Sequence, residues 1–154
     1  MPKDVHILLI EDNLGDVRLI QETFREAQVK GQIEYVTDGL KASAYLYQEP
    51  PYQHAVRPDL ILLDLNLPRK DGRELLVKIK QNDNLKQIPV LVLSTSEDEA
   101  DIWKSYEAHA NCYLKKPMNF DEFYRLIQAI EMFWLQKAKL PPQQNPSTLT
   151  MGTH

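Results

Sequence analysis

A doubly wound α/β fold, one sheet of five parallel strands with helices on both faces, is what this sequence predicts. Three observations carry the expectation. Short apolar runs at 5–10, 60–63 and 88–93 have the pattern of strands buried on both faces. Between such runs, apolar residues recur at three- and four-residue spacing, as on amphipathic helices, and the two patterns alternate five times. The strand-like runs also end in polar groups, which is where parallel α/β sheets place ligands.

Taken in order, the first strand, 5–10, ends in Glu11-Asp12. From Leu14 the period changes: Leu14, Val17, Ile20, Phe24 and Ala27 share one helical face, and Asn13 stands where an N-cap belongs. Gly31 marks a turn before a short strand at 33–36, and Asp38-Gly39 opens a second helix through Leu40, Ala44 and Leu46-Tyr47. Residues 49–58 hold three prolines, Pro50, Pro51 and Pro58, and read as a surface loop.

The run 60–68 is the centre of the chain: a buried strand carrying Asp64 at its end and broken by Pro68. A carboxylate inside such a strand is costly to bury, so the end of the strand is where it belongs. Asp71-Gly72 then leads a helix with Leu75, Leu76 and Ile79. A fourth strand, 88–94, ends in Ser94-Thr95-Ser96, followed by Glu97 and Asp98, acids suited to the first turn of a helix that carries Ile102, Trp103 and Tyr106. The fifth strand, 111–114, runs into Lys115-Lys116-Pro117, and the last helix carries Phe120, Phe123, Leu126, Ile127, Ile130 and Phe133.

At 154 residues the chain has the length of one domain with a sizeable core. Hydrophobic residues at 43% and charged residues at 26% argue against disorder. A net charge of −4 gives no electrostatic footprint for nucleic acid or an anionic membrane. No apolar run approaches the roughly 20 residues of a spanning helix. The single cysteine, Cys112, has no internal partner for a disulfide and reads as a small buried hydrophobe in a reducing compartment. The expectation is a soluble cytoplasmic protein, with one domain over 1–139 and a flexible Pro-rich tail over 140–154, and no second, output domain. His6, His54, His109 and His154 show no ligand spacing.

The chemistry converges on the carboxyl edge of the sheet. The first strand delivers Glu11 and Asp12, the third Asp64, the fourth Ser94 and the fifth Lys116. Two carboxylates about 4 Å apart, at an effective dielectric near 20, repel by roughly 4 kcal/mol, so a divalent cation, Lys116 or protonation of one acid must offset them. All-oxygen ligands favour Mg²⁺, which keeps waters and adds a phosphoryl oxygen. A carboxylate can itself be the nucleophile, giving an aspartyl phosphate while the lysine and hydroxyl hold phosphoryl oxygens.

The set Glu11-Asp12, Asp64-Leu65-Asn66-Leu67-Pro68 with Asp71-Gly72, Ser94-Thr95 and Lys116-Pro117 resembles the receiver domain of two-component response regulators over about residues 5–136. The resemblance implies the flavodoxin-like (βα)5 fold and a phosphoryl group accepted on Asp64 from a histidine kinase's phosphohistidine. It implies Mg²⁺ held by Asp12, Asp64 and the backbone carbonyl of Asn66, and through water by Glu11. Lys116 would contact the phosphoryl group, Ser94 would swing towards it, and Tyr113 would turn inward as an aromatic switch. Asn66 and Ser96 occupy positions resembling those that tune phosphoryl lifetime. Finer matches, among them Asp71-Gly72-Arg73-Glu74 and Phe133-Trp134-Leu135, are similar to the single-domain regulators associated with bacterial, chiefly cyanobacterial, phytochromes. Two departures, Glu11 for the usual first Asp and Ser94 for the usual Thr, keep the chemistry.

Rival readings meet specific obstacles. A Mg²⁺-dependent phosphatase with an aspartyl nucleophile wants a second acid two residues on, where this chain has Asn66. A flavodoxin-like carrier wants hydroxyl and glycine groups after the first strand, where this chain has acids. With no output domain, the expected readout is association: with a sensor histidine kinase, with a downstream protein, or with a second copy. Successive helical residues lie about 100° apart, so Phe133, Trp134 and Leu135 cannot all face one core. With Trp103 and Tyr106 they suggest a contact surface, expected to serve a homodimer through the fourth and fifth helices and the fifth strand; the alternative is a well-packed helix end.

Overall fold

In the computed structural model, which describes residues 4–27, 31–145 and 147, five parallel strands form one sheet. They are β1 (Val5–Ile10), β2 (Gly31–Val36), β3 (Leu60–Asp64), β4 (Val90–Ser94) and β5 (Cys112–Lys115), in the spatial order β2-β1-β3-β4-β5. The helices between and after them are α1 (Leu14–Glu26), α2 (Gly39–Leu46), α3 (Gly72–Gln81), α4 (Glu99–Glu107) and α5 (Phe120–Ile130). The doubly wound sheet expected from the alternating pattern is the one observed.

Strand alternation divides the core in two. Leu8, Ile10, Ile61, Leu63, Val90 and Val92 face α2 and α3, meeting Ala42, Tyr45, Leu75, Leu76 and Ile79. Ile7, Leu9, Leu60, Leu62, Leu91 and Leu93 face α1 and α5, meeting Val17, Ile20, Phe24, Phe123, Ile127 and Ile130. Every residue of β3 and β4 is buried, as central parallel strands require. Burying one such Leu or Ile side chain contributes about 1.5–3 kcal/mol.

Helix starts are tightly set at the carboxyl edge. The side chains of Asn13, Asp38, Asp71, Asp98 and Asn119 each accept a hydrogen bond from a backbone N–H in the first turn that follows. Gly72 shows why α3 begins where it does: a Cβ there would lie 2.4 Å from the Asp64 carbonyl oxygen. The helix therefore starts in contact with the end of β3, with the Gly72 N–H donating to Leu65 O at 3.0 Å.

α4 stands apart. Ser105 is its only buried residue, while Trp103 is 70% exposed and Tyr106 is exposed as well. The last helix also differs from expectation. α5 keeps α-geometry only to Ile130, and Glu131–Lys137 continues as a π-helical segment. The wider turn brings residues five apart together, so Gln136 Nε2 donates to the buried Glu131 Oε1 at 2.6 Å. It leaves Phe133 exposed, while Trp134 and Leu135 pack on the α1–α5 side of the core. Cys112 is only half-buried, a consequence of its place on the edge strand β5.

Beyond the π segment, Gln143 Nε2 donates to Arg57 O at 3.4 Å and to the buried Asp59 carboxylate, whose other oxygen accepts the His6 N–H at 2.9 Å. Of the expected 140–154 tail, residues 146 and 148–154 lie outside the described residues. Among the described residues, no helix is long and apolar enough to cross a membrane.

Candidate functional site

Register places the acids. Ile10 pairs with Leu63, so Glu11, one step beyond, comes level with Asp64. Ligand oxygens of Glu11, Asp12 and Asp64 lie within 4.8 Å of one another. On the other side Ser94 pairs with Lys115, and the Lys116 N–H donates to Ser94 O at 2.7 Å, which turns the next lysine into the same crevice. Glu11, Asp12, Asp64, Asn66 and Lys116 line one open cavity of about 780 Å³, with Thr95 and Phe120 on its wall.

Lys116 is the electrostatic centre. Its buried Nζ contacts Glu11 Oε1, donates to Asp16 Oδ2 at 3.0 Å, and lies 3.5 Å from Asp64 Oδ2. The remaining carboxylate oxygens are held by backbone: Glu11 Oε2 accepts from Asn13 N at 3.2 Å, and Asp64 Oδ1 from Asn66 N at 3.0 Å. Asp64 Oδ2 is thus left with the longest contact, the one to Lys116. Asp12 is exposed at the rim.

Burial is the main cause that pushes the Glu11 carboxyl up to about 8; its hydrogen bond with Asp64 adds to the rise and Lys116 opposes it. Burial also works against the Lys116 ammonium, yet the Glu11, Asp64 and Asp16 carboxylates outweigh it and hold its pKa above the ordinary value. Three acidic side chains, Glu11, Asp16 and Asp64, meet the one ammonium, and Asp12 lies beside Glu11 and Asp64 at the rim, so acids outnumber cations in an all-oxygen set. That donor chemistry fits a hard divalent cation.

The structure places Ser94 one strand, and Tyr113 two strands, away from Asp64. Ser94 is fully buried and its Oγ accepts from Ser96 N at 3.1 Å. The half-buried Tyr113 donates its hydroxyl to Ser96 O at 2.9 Å and its N–H to the Tyr106 hydroxyl at 3.1 Å. Both therefore converge on Ser96 rather than on Asp64. Lys115 pairs with Glu97 at 2.7 Å on the surface, a contact of little energetic weight.

Sequence reasoning missed Asp16 as a site residue. Its signal was available: it lies three residues after the cap Asn13, in the first turn of a helix starting at the same edge. It missed the bidentate Arg73–Asp101 pair beside Ser96 altogether.

Comparison with known proteins agrees with this geometry. The response regulator receiver domain family matches residues 7–128. Response regulator Rcp1 of Synechocystis sp. is 50% identical over 135 residues, covering 88% of this chain and 92% of that protein. The crystal structure of the Mn(2+)-bound form of Rcp1 superposes with a TM-score of 0.88 at 49% identity, covering 90% of this chain and 99% of that one. That of the phosphorylated cyanobacterial phytochrome response regulator RcpA gives 0.88 at 51% identity, covering 91% and 100%. A chain with these strand-end side chains, this strand order and these relatives belongs to the response regulator receiver domain family.

Proposed function

We propose that this chain is a phytochrome-linked response regulator that accepts a phosphoryl group on Asp64 from a histidine kinase. The observation that carries the reading is the Asp64 carboxylate itself. One oxygen is fixed by the Asn66 N–H, while the other faces an open cavity near Lys116.

In the transfer, Asp64 Oδ2 attacks phosphorus in line and the P–N bond to the kinase imidazole breaks. The imidazole leaves and the acyl phosphate forms. Lys116 places its ammonium beside the transferred oxygens, and Ser94 moves in to hold another. The Asn66 N–H keeps the Asp64 carboxylate oriented. Glu11 (through water), Asp12, Asp64 and the Asn66 carbonyl would hold Mg²⁺, which supplies neutralisation of the phosphoryl charge. The Mn(2+) in Rcp1 and the phosphorylated state of RcpA support both parts of this reading. Water later hydrolyses the acyl phosphate and resets Asp64; no metabolite is turned over.

Phosphorylation brings about −1.5 to −2 charges to the end of β3. Ser94 and Tyr113 couple that change to α4, β5 and α5 as a shift between two populations. The exposed Trp103, Tyr106 and Phe133 supply an apolar surface there for a second copy or a downstream protein. The receiver unit runs over 1–139, with 140–154 as its tail, and acts in the cytoplasm.

The test is incubation with Mg²⁺ and acetyl phosphate, followed by intact mass. Wild type should gain one phosphoryl group and Asp64→Asn none. Equal labelling of both, or of neither, overturns the assignment. The phosphatase rival predicts steady turnover of small phosphate esters, and a blank assay disposes of it.

A further inference from the structure

We propose that Arg73 and Asp101 form a latch that holds the β4–α4 loop in its resting position and so sets how readily Ser94 moves towards Asp64. The proposal rests on the receiver reading above.

Arg73 is the second residue of α3. Its guanidinium forks onto Asp101, Nε to Oδ1 at 2.9 Å and Nη2 to Oδ2 at 3.1 Å, the paired geometry of the strongest ionic hydrogen bonds. Nη1 turns back to both oxygens of Asp71, the cap of α3, at 3.2 and 3.3 Å. All three guanidinium nitrogens are therefore engaged, and the fork has one orientation.

The far end of the latch is the loop. Asp101 lies in the first turn of α4, and its Oδ2 also accepts from Ser96 Oγ at 2.8 Å. Ser96 is the node through which the loop is held. Its N–H donates to Ser94 Oγ and its carbonyl accepts from the Tyr113 hydroxyl. An unbroken chain of contacts thus runs from Ser94 through Ser96 and Asp101 to Arg73. The near end is anchored at the site, because α3 begins in contact with the Asp64 carbonyl at Gly72.

An ordinary surface ion pair would do nothing of the kind. This one closes a ring between two helix starts, and one of those helices has little else to hold it. α4 buries only Ser105 and is tied to β5 through the Tyr106 hydroxyl, so the fork is one of few side-chain contacts that fix its start. For Ser94 Oγ to leave Ser96 N and reach a phosphoryl oxygen, the loop that carries Ser96 must shift. The fork resists that shift. Arg73 and Asp101 are positioning residues: they touch neither the phosphoryl group nor Asp64, and they bias the population of the state in which Ser94 does.

The experiment labels the full chain with acetyl phosphate and Mg²⁺ and follows intact mass with time. It compares wild type, Arg73→Gln, Asp101→Asn, Arg73→Lys and the charge-reversed pair R73D/D101R. Trp103, two residues beyond Asp101, reports the position of α4 by its emission in a Trp134→Phe background. Loss of the fork should speed labelling roughly threefold or more. It should also move the Trp103 emission of the unphosphorylated protein towards that of the phosphorylated one. Arg73→Lys, which keeps charge without the fork, should fall between, and the reversed pair should return towards wild type. Labelling at the wild-type rate or slower in every single variant, with Trp103 emission unmoved, overturns the latch. Absence of label on wild type overturns instead the receiver reading, and the latch with it.

Discussion

Lys116 Nζ stands 3.5 Å from Asp64 Oδ2 while making closer contacts to Glu11 and to Asp16, the latter at 3.0 Å. The ammonium is therefore held beside the Asp64 carboxylate by two other acidic side chains. Removing it strands Glu11 and Asp64 as neighbouring buried acids. Lys116→Met should cost about 3 kcal/mol in a chemical melt, at the low end for breaking a buried ionic cluster because the cavity is open. Added Mg²⁺ should recover part of that loss. An unchanged midpoint, with no response to the ion, would contradict the charge balance around Lys116.

Divalent ions should raise the thermal midpoint of the wild type, since a ligand that binds only the folded chain stabilises it, by about 2.7 kcal/mol at a hundredfold excess over Kd. Asp12→Ala removes the exposed member of the acid set and should abolish most of the gain. Chelator should erase it in wild type. A midpoint indifferent to Mg²⁺, Mn²⁺ and chelator alike sinks the cation assignment.

Gly72→Ala tests the contact between α3 and the end of β3. The added Cβ would meet the Asp64 carbonyl at 2.4 Å and the Leu65 Cα at 2.7 Å, both backbone atoms. The helix start must shift, at about 1–3 kcal/mol. The same shift should slow labelling of Asp64. A fully stable variant that labels at the wild-type rate would show that this contact yields freely.

The Asp101 carboxyl is held below its ordinary 3.8, first by the Arg73 hydrogen bonds and then by Ser96, against a smaller opposing effect of burial. A depressed acid contributes stability that is present above its unfolded pKa and lost as pH falls through the folded one. Wild type should therefore be more stable than Asp101→Asn at neutral pH, and the difference should shrink as pH is taken below 3.8. Melts of both proteins across that range check the sign; a gap that widens in acid refutes it.

Phe133→Asp should lower the apparent mass of the phosphorylated protein by size exclusion, because Phe133 is the exposed member of its apolar triplet. An identical elution volume for wild type and variant would remove this residue from any contact between copies.

Much of this was readable in the chain itself. The strands were legible because 60–63 and 90–93 are apolar at every position, a demand made only by a strand covered on both sides. The acids were legible because each follows such a run directly. What stayed hidden depends on distance in sequence. Arg73 meets Asp101 across 28 residues, so no local pattern encodes that contact; Asp16 could be placed at the right edge from its helix start, but not its pairing with Lys116 across 100 residues. The π-helical segment was hidden for a different reason. Its amino-acid types suit an α-helix equally well, and the choice is made by the Glu131–Gln136 hydrogen bond together with the packing of Trp134 and Leu135. The Ser94 hydroxyl was placed on the right strand, but its engagement with Ser96 could not be read from its position.

The hydrogen bonds from Gln143 to Arg57 and Asp59 give the chain a polarity useful to anyone who handles it. Asp59 sits just before β3 and Asp64 ends that strand, so the two lie about 16 Å apart, at opposite poles of the sheet. Residue 143 is thereby tethered at the pole remote from Asp64. A reporter attached at the exposed Gln144 would be carried at that pole, leaving the acidic crevice free for an approaching protein.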